Sequence, residues 1–176
     1  REMTYLEAIS DGLREEMRRD ENVFILGEDI GALGGAFKVT DGFAEEFGPE
    51  RVLDTPLAEN LIIGAATGAA IEGMKPVCEM QFDGFSYYTM HQIEAHASRL
   101  RWRSQGRYHV PMVLRAPYGG GVRALEHHSE SREALWAHIP GLKVYFPATP
   151  TDAKGMLNLA LSGTDPVVFL ESQKLY

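Results

Sequence analysis

Glu59 has the clearest setting for chemistry in this sequence. It follows an apolar strand, predicted over residues 51–53, and a turn that Pro56 fixes. Proline pre-sets φ and suits the entry to a helix, so Glu59 falls in the first helical turn at the carboxyl end of a strand. Open α/β sheets bind ligands at that end, and a carboxyl group there can exchange a proton with a bound molecule. We take Glu59 as the candidate catalytic residue, although a glutamate in a first turn often only complements the helix dipole.

Two histidine pairs could suggest a metal site. His91 and His96 are five residues apart, about 140° around an α-helix, so we expect them on different faces. His127 and His128 are adjacent in a predicted loop, where neighbouring side chains point apart. The spacing therefore argues against a metal held by either pair.

Composition and charge exclude several classes of function. The 176 residues are 44% hydrophobic and 24% charged, as in an ordinary globular domain. A net charge of −8 argues against nucleic-acid binding, because the sequence has no basic stripe that could bind the phosphates of a nucleic acid. The glycines have the wrong spacing for a Walker or dinucleotide motif, and no Gly-x-Ser-x-Gly elbow is present.

The sequence also carries information about its compartment. Cys78 is the only cysteine, so no disulfide can form within the chain, and it is best explained as a small buried hydrophobe. No signal peptide is recognisable, and the longest apolar run, residues 61–71, is too short to cross a bilayer. We expect a cytoplasmic protein or an equivalent reducing compartment, with no membrane partner.

Strands and helices are predicted in alternation along the whole chain. The pattern predicts strands over residues 23–26, 51–53, 76–81, 112–115, 143–146 and 167–170. It predicts helices that start at residue 4 and over residues 42–47, 58–73, 82–102 (mostly helical), 131–138 and from residue 151 or 152 to 161. Continuously apolar strands are typical of sheets covered on both faces. We expect one α/β domain, residues 1–176, with a three-layer, doubly wound and mostly parallel sheet.

The predicted helix over residues 58–73 is rich in small residues. Gly64 and Gly68 are four apart, and alanines repeat at the same spacing on the neighbouring faces. Such a surface lets another backbone approach closely. The contact can lie between subunits or inside the domain, and the sequence leaves both open.

Several segments resemble the β subunits of 2-oxo acid dehydrogenase E1 components, which have a transketolase-like fold. Asp-Thr-Pro-Leu-Ala-Glu-Asn at residues 54–60 resembles the family's Asp-Thr-Pro-x-x-Glu stretch. The other similar segments are the Gly-Glu-Asp loop at residues 27–31, residues 79–82 with Phe85, residues 115–119, residues 127–131, residues 140–144 and residues 165–171. Together they span nearly the whole chain, in order.

The resemblance implies a thiamine diphosphate enzyme and assigns roles to individual residues. Glu59 matches the glutamate that hydrogen-bonds the pyrimidine ring of the cofactor, Phe85 the aromatic that stacks on that ring, and Gln81 and Leu57 its neighbours. His128 matches the histidine that contacts the 2-oxo acid or the acyl group, with His127 as the competing register. A structural potassium ion is implied at Met112, Ala160, Leu161, Gly163 and Asp165, where the family would have asparagine at residue 165.

The resemblance also implies partners. The chain lacks the Gly-Asp-Gly motif and following asparagine that hold Mg²⁺ and the diphosphate, which the E1 α subunit supplies in the family. It therefore implies an α2β2 heterotetramer that meets a lipoyl-bearing E2 acyltransferase. The family β subunit continues into a second α/β domain, so this sequence corresponds to its pyrimidine-binding domain alone.

The implied reaction is oxidative decarboxylation of a 2-oxo acid with reductive acylation of lipoamide. The glycine-rich loop with Arg123 and the two histidines favours a branched-chain substrate. Pyruvate dehydrogenase, acetoin dehydrogenase and a transketolase-like enzyme such as deoxyxylulose phosphate synthase remain open alternatives. So does a non-catalytic assembly domain.

Overall fold

Helices and strands alternate along the chain in the computed structural model, which describes residues 2–121 and 123–176. The strands are β1 (Val23–Gly27), β2 (Val52–Asp54), β3 (Lys75–Glu79), β4 (Val113–Tyr118), β5 (Lys143–Tyr145) and β6 (Val167–Ser172). The α-helices are α1 (Tyr5–Arg19), α2 (Phe43–Phe47), α3 (Glu59–Ile71), α4 (Leu100–Arg103), α5 (Glu133–Ala137) and α6 (Pro150–Ser162). A 3₁₀ helix (Asp83–Thr89) and a π-helix (His91–Ala97) precede α4.

The six strands form one sheet in the order β2-β1-β3-β4-β6-β5, and every pairing is parallel. The α/β fold with a doubly wound sheet is therefore confirmed. The strand order reverses between β1 and β3, since the chain goes outward from β1 to β2 and then returns to β3. Ligands of such sheets bind outside the carboxyl ends of the strands at this switch point.

Two hydrophobic cores cover the two faces of the sheet, which confirms the three layers. Alternate residues of each strand point to opposite faces, so Ile25 and Val77 belong to one core and Leu26 and Cys78 to the other. The first core is completed by α1 and α6, and the second by α3, the π-helix and Trp136. The thiol of Cys78 is fully buried and free, as expected for a small core residue.

The helix starts follow their capping residues. Thr4 and Glu7 form the predicted capping box, in which the Glu7 amide donates to Thr4 Oγ1 at 3.2 Å. The predicted start of the last long helix, at residue 151 or 152, was wrong. Thr149 caps α6 instead, because its Oγ1 accepts from the Asp152 amide at 3.1 Å and Pro150 occupies the first turn.

The expectation that His91 and His96 lie on different faces was also wrong. It assumed α-helical geometry, whereas residues 91–97 form a π-helix, whose hydrogen bonds join residues five apart. The two rings therefore meet, with centroids 5.0 Å apart. No third histidine, cysteine or acidic residue completes a metal-binding group with them in the described part of the chain.

The small residues of α3 lie on two sides of the helix, one buried and one exposed. Ala66 and Ala70 are buried in the second core, whereas Ala65 and Gly68 are exposed. A Cβ added at Gly68 would have no atom within 4 Å. Packing inside the domain therefore explains one side of the helix only. None of the described helices, this one included, has the length and apolar character needed to span a membrane.

Candidate active site

Glu59 lies where the sequence predicted, directly after β2. The Thr55 amide donates to the Gly27 carbonyl at 2.9 Å, which extends the pairing of β1 and β2 by one bond. The chain then turns at Pro56, and α3 begins at Glu59. The Glu59 side chain is half-buried, so the turn holds its carboxyl group at the sheet edge with partial access to solvent.

A second carboxyl group, that of Glu28, lies beside Glu59. Glu28 follows β1 and is only 4% exposed. Burial raises its pKa above the ordinary glutamate value, and the charge of Glu59 raises it further, against a hydrogen bond from the Ala58 backbone. The Glu28 Oε1 atom is buried without a hydrogen-bond partner among the described residues. The unpartnered oxygen leaves room for a polar ligand atom.

The Gly-Glu-Asp loop connects this pair to the end of β3. Asp29, which has a positive φ of 58°, accepts a hydrogen bond from Gln81 Nε2 at 3.1 Å. On the other side of the loop, the Gly31 amide donates to Asp54 Oδ1 at 2.7 Å, at the end of β2. The loop therefore gathers the carboxyl ends of β1, β2 and β3, and it holds Gln81 beside the residue that follows Glu28.

Phe85 and His128 meet across two segments far apart in sequence. Their ring centroids are 5.2 Å apart with perpendicular planes, and Phe82 lies 4.6 Å from the same histidine ring. His127 also contacts Phe85, with centroids 6.1 Å apart and nearly parallel planes. Gln173 Nε2 donates to the His128 carbonyl at 3.0 Å. The structure thus joins the predicted aromatic to both histidine registers, and the contact with two rings favours His128.

A buried ion cluster lies beneath the site. Arg115 donates to Glu79 at 2.7 Å and to both oxygens of Glu171 at 2.7 and 2.8 Å, and Tyr176 also donates to Glu171. Burial raises the pKa of Glu79, and the charge of Glu171 adds to the effect, while Arg115 lowers it. Sequence reasoning assigned no role to this cluster, because its three charged members lie on three different strands.

The remaining predicted residues lie away from the two glutamates or on the surface. Leu57 is 82% exposed, so within this chain its side chain does not line an enclosed pocket. A cavity of about 920 Å³ opens elsewhere, before the amino ends of β5 and β6, and Asp165 is the only candidate residue among its lining. The candidate site around Glu59 is instead an open surface at the carboxyl ends of the strands.

The predicted potassium ligands have other partners. Asp165 binds Arg101 at 2.6 Å and Lys143 at 3.1 Å; burial acts to raise its pKa, but these two cations hold it below the usual value. The carbonyls of Met112 and Ala160 accept amide hydrogen bonds from Val167 and Gly163, while Leu161 is a buried core residue. The only carboxylate of the set is therefore paired with two cationic side chains of this chain. Potassium binding here stays a prediction.

Comparison with known proteins identifies the domain. The family model described as "Transketolase, pyrimidine binding domain" matches residues 1–176. The chain belongs to this family. The transketolase pyrimidine-binding fold is also found by structural comparison: a chain titled "Split gene transketolase, inactive beta4 tetramer" superposes with a TM-score of 0.76 over 97% of this chain and 52% of that one, at 20% identity.

Two relatives of this pyrimidine-binding domain are similar in sequence at about the same level. The chain is 52% identical to the pyruvate dehydrogenase E1 component subunit beta of Acholeplasma laidlawii over 174 residues, which are 99% of this chain and 53% of that protein. It is 51% identical to the 2-oxoisovalerate dehydrogenase subunit beta of Bacillus subtilis (strain 168), with the same shares covered. The chain thus spans about half the length of the curated relatives it matches.

Proposed function

We propose that this chain is the pyrimidine-binding domain of the β subunit of a thiamine-diphosphate-dependent 2-oxo acid dehydrogenase (E1). The observation that carries the proposal is the pair of carboxyl groups, Glu59 and Glu28, at the switch point of the sheet. Glu28 Oε1, without a partner in the described chain, fits a site that receives a polar ring. The sequence identity to the two β subunits supports the class of enzyme.

In this proposal Glu59 holds a proton at a ring nitrogen of the aminopyrimidine. When bound, the cofactor would supply the nucleophilic carbon that the chemistry of a 2-oxo acid requires. Burial and the charge of Glu59 raise the pKa of the neighbouring Glu28, so Glu28 holds a proton more readily than an ordinary glutamate does. A Glu59 carboxyl group that carries a proton donates a hydrogen bond to the ring, and after giving up that proton it can accept one back.

The other residues orient the ligands. Phe85 offers an aromatic face to the pyrimidine, and Gln81 offers an amide that Asp29 keeps in place. His128, packed on Phe82 and Phe85, would contact the 2-oxo acid or the acyl group, and its imidazole can donate or accept near neutral pH. Leu57, now exposed, would become a wall of the site once a partner covers it.

The proposal requires an α subunit, which would hold Mg²⁺ and the diphosphate and would complete an α2β2 assembly served by a lipoyl-bearing E2. The openness of the site around Glu59 supports this requirement, since half of a ligand site is exposed to solvent on one chain. Calorimetry with thiamine diphosphate and Mg²⁺, with and without an α chain, tests it. We expect tight binding only with both chains, and tight binding to the β chain alone would contradict the assembly.

The substrate is proposed to be a branched-chain 2-oxo acid, with pyruvate as the rival. Arg123 and the two histidines of the glycine-rich loop supported the first choice, and the relatives at 52% and 51% identity divide between the two substrates. Comparison of kcat/KM for 2-oxoisovalerate and pyruvate decides between them. The cytoplasmic location also stays a prediction.

The central test is Glu59→Gln in the full-length β subunit assembled with its α partner. The amide keeps the shape of the side chain but cannot exchange a proton, so we expect kcat to fall by roughly 10²–10⁴-fold. Glu72→Gln is the matched control, because Glu72 is exposed at the other end of α3. Full activity of Glu59→Gln, with the control unchanged, would show that the proposed mechanism is wrong.

A further inference from the structure

One buried carboxylate bonds the 3₁₀ helix that carries Phe85 to residues 132–136, which follow the loop that holds His127 and His128. Asp83 is 1% exposed. Its Oδ2 accepts from the Arg132 amide at 3.0 Å, and its Oδ1 accepts from Ser86 Oγ at 3.1 Å and from Trp136 Nε1 at 3.2 Å. Two of these donors lie about fifty residues further along the chain, after the histidines. A fully bonded buried carboxylate fixes the relative position of the segments that bond to it.

The Arg132 guanidinium strengthens the same connection. It is almost fully buried and donates to Ser86 Oγ at 3.0 Å. Its central carbon lies 3.2 Å from the centre of the Tyr87 ring and 5.4 Å from the Trp136 ring. The cation therefore contacts aromatic rings of both segments and compensates the charge of Asp83, which joins the 3₁₀ helix to α5.

A close backbone contact completes the connection. Gly84 lies against the backbone of His127, and a Cβ added to Gly84 would come within 2.2 Å of the His127 carbonyl oxygen. His127 itself has a φ of 73°. At the start of the loop the Gly119 amide donates to the Glu130 carbonyl at 2.8 Å. The histidines are thus held directly over Phe85, from both sides.

We propose that Asp83, together with Arg132 and Trp136, positions His128 against Phe85 for its contact with the acyl group. We call these three residues the Asp83 clamp. The inference rests on the proposed function, and it adds three residues to which sequence reasoning gave no role. The clamp touches neither Glu59 nor Glu28 through any bond described above. Its loss should therefore affect the step that uses His128 more than the proton exchange at Glu59.

Trp136→Phe is the mildest test, because it removes one donor and keeps an aromatic ring. Trp102→Phe is the matched control, since Trp102 is 90% exposed. In the full-length subunit assembled with its α partner, hydrogen exchange of the amides of residues 123–131 should become roughly 10-fold faster in Trp136→Phe and should stay unchanged in the control. Asp83→Asn, which replaces an acceptor by a donor, should give a larger effect in the same direction.

The kinetic measurement separates a positioning role from general instability. Reductive acylation of lipoamide should fall by about 10-fold in Trp136→Phe, while decarboxylation measured with an artificial electron acceptor should change less than 2-fold. Equal loss of both activities would overturn the positioning role. If Asp83→Asn does not fold, Trp136→Phe carries the test.

The two proposals fail in different ways. Unchanged exchange of residues 123–131 in both variants would overturn the clamp, whatever the wild-type enzyme does. Faster exchange in the two variants, combined with a wild-type assembly that turns over no 2-oxo acid, would support the clamp as a structural device and would overturn the proposed function alone.

Discussion

Two carboxyl groups at one end of the sheet dominate the chemistry at the scale of single residues. Glu59 could be chosen from the sequence, because a strand, a proline turn and a helix start define its place. The importance of Glu28 could not, since it depends on the parallel pairing of β1 with β2, which brings residues about thirty apart side by side. Its only sequence signal was its place in a loop directly after an apolar strand.

Glu28→Gln should stabilise the protein at neutral pH. Because the pKa of Glu28 is raised in the folded state, the folded chain binds a proton more tightly than the unfolded chain, and stability is lost as the pH rises through the folded value. The neutral amide removes that loss. We expect Tm to rise on the order of 2–4 °C at about pH 7.5 and hardly at all at about pH 4, where glutamate is mostly protonated in both states.

Thermal unfolding at the two pH values measures this effect. Glu21→Gln serves as the control, because Glu21 is exposed. An equal gain for Glu28→Gln at both pH values would mean that its effect does not come from proton binding.

At the scale of elements, the strands were easier to predict than the segment between residues 82 and 102. Apolar runs located all six strands, with small errors at the ends. The signal is strongest for β1, β3, β4 and β6, because strands buried on both faces need apolar residues nearly throughout. The helical signal over 82–102 was right in kind, but the structure divides it into 3₁₀, π and α pieces. The choice among them depends on tertiary contacts such as those of Asp83, whose partners lie about fifty residues away.

Gly84→Ala should destabilise the element that carries Phe85. The added methyl group would collide with the His127 backbone, which the loop cannot withdraw without breaking its contact with Phe85. We expect a loss of about 2–4 kcal/mol in the free energy of unfolding. Urea unfolding measures it, and Gly155→Ala in α6, where an added Cβ meets nothing within 4 Å, is the control. In that helix the substitution should stabilise by up to about 1 kcal/mol.

At the scale of the whole molecule, one side of α3 has no cover within the chain. Leu57 and Leu61 are exposed beside Ala65 and Gly68, and together they form an apolar strip next to Glu59. The sequence indicated the small residues and left their role open between subunit contact and internal packing. The structure assigns internal packing to one side of the helix, and the exposed strip is where we expect a partner subunit.

Gly68→Leu tests that expectation. The new side chain meets no atom of its own chain, so the isolated subunit should keep its Tm within about 2 °C. In the assembly, the leucine would occupy the space of a closely packed partner, so we expect the α2β2 species to dissociate. Light scattering would then report a lower molar mass. Gly155→Leu, on an equally open part of α6, should leave assembly intact. A stable heterotetramer of Gly68→Leu would place the subunit contact elsewhere.

The packing of α1 on α6 has a consequence for biosynthesis. Tyr5, Ile9 and Leu13 are buried with Leu157 and Leu161 of α6, and Lys154 bonds to both Asp11 and Glu15 at 2.7 Å. A ribosome releases α1 long before α6 exists, so α1 carries an uncovered apolar stripe while most of this domain is synthesised. The sheet cannot be completed earlier either, because β6 is the strand that pairs with both β4 and β5. Folding is therefore held back until nearly the whole domain has emerged, and chaperones have that interval in which to shield the stripe.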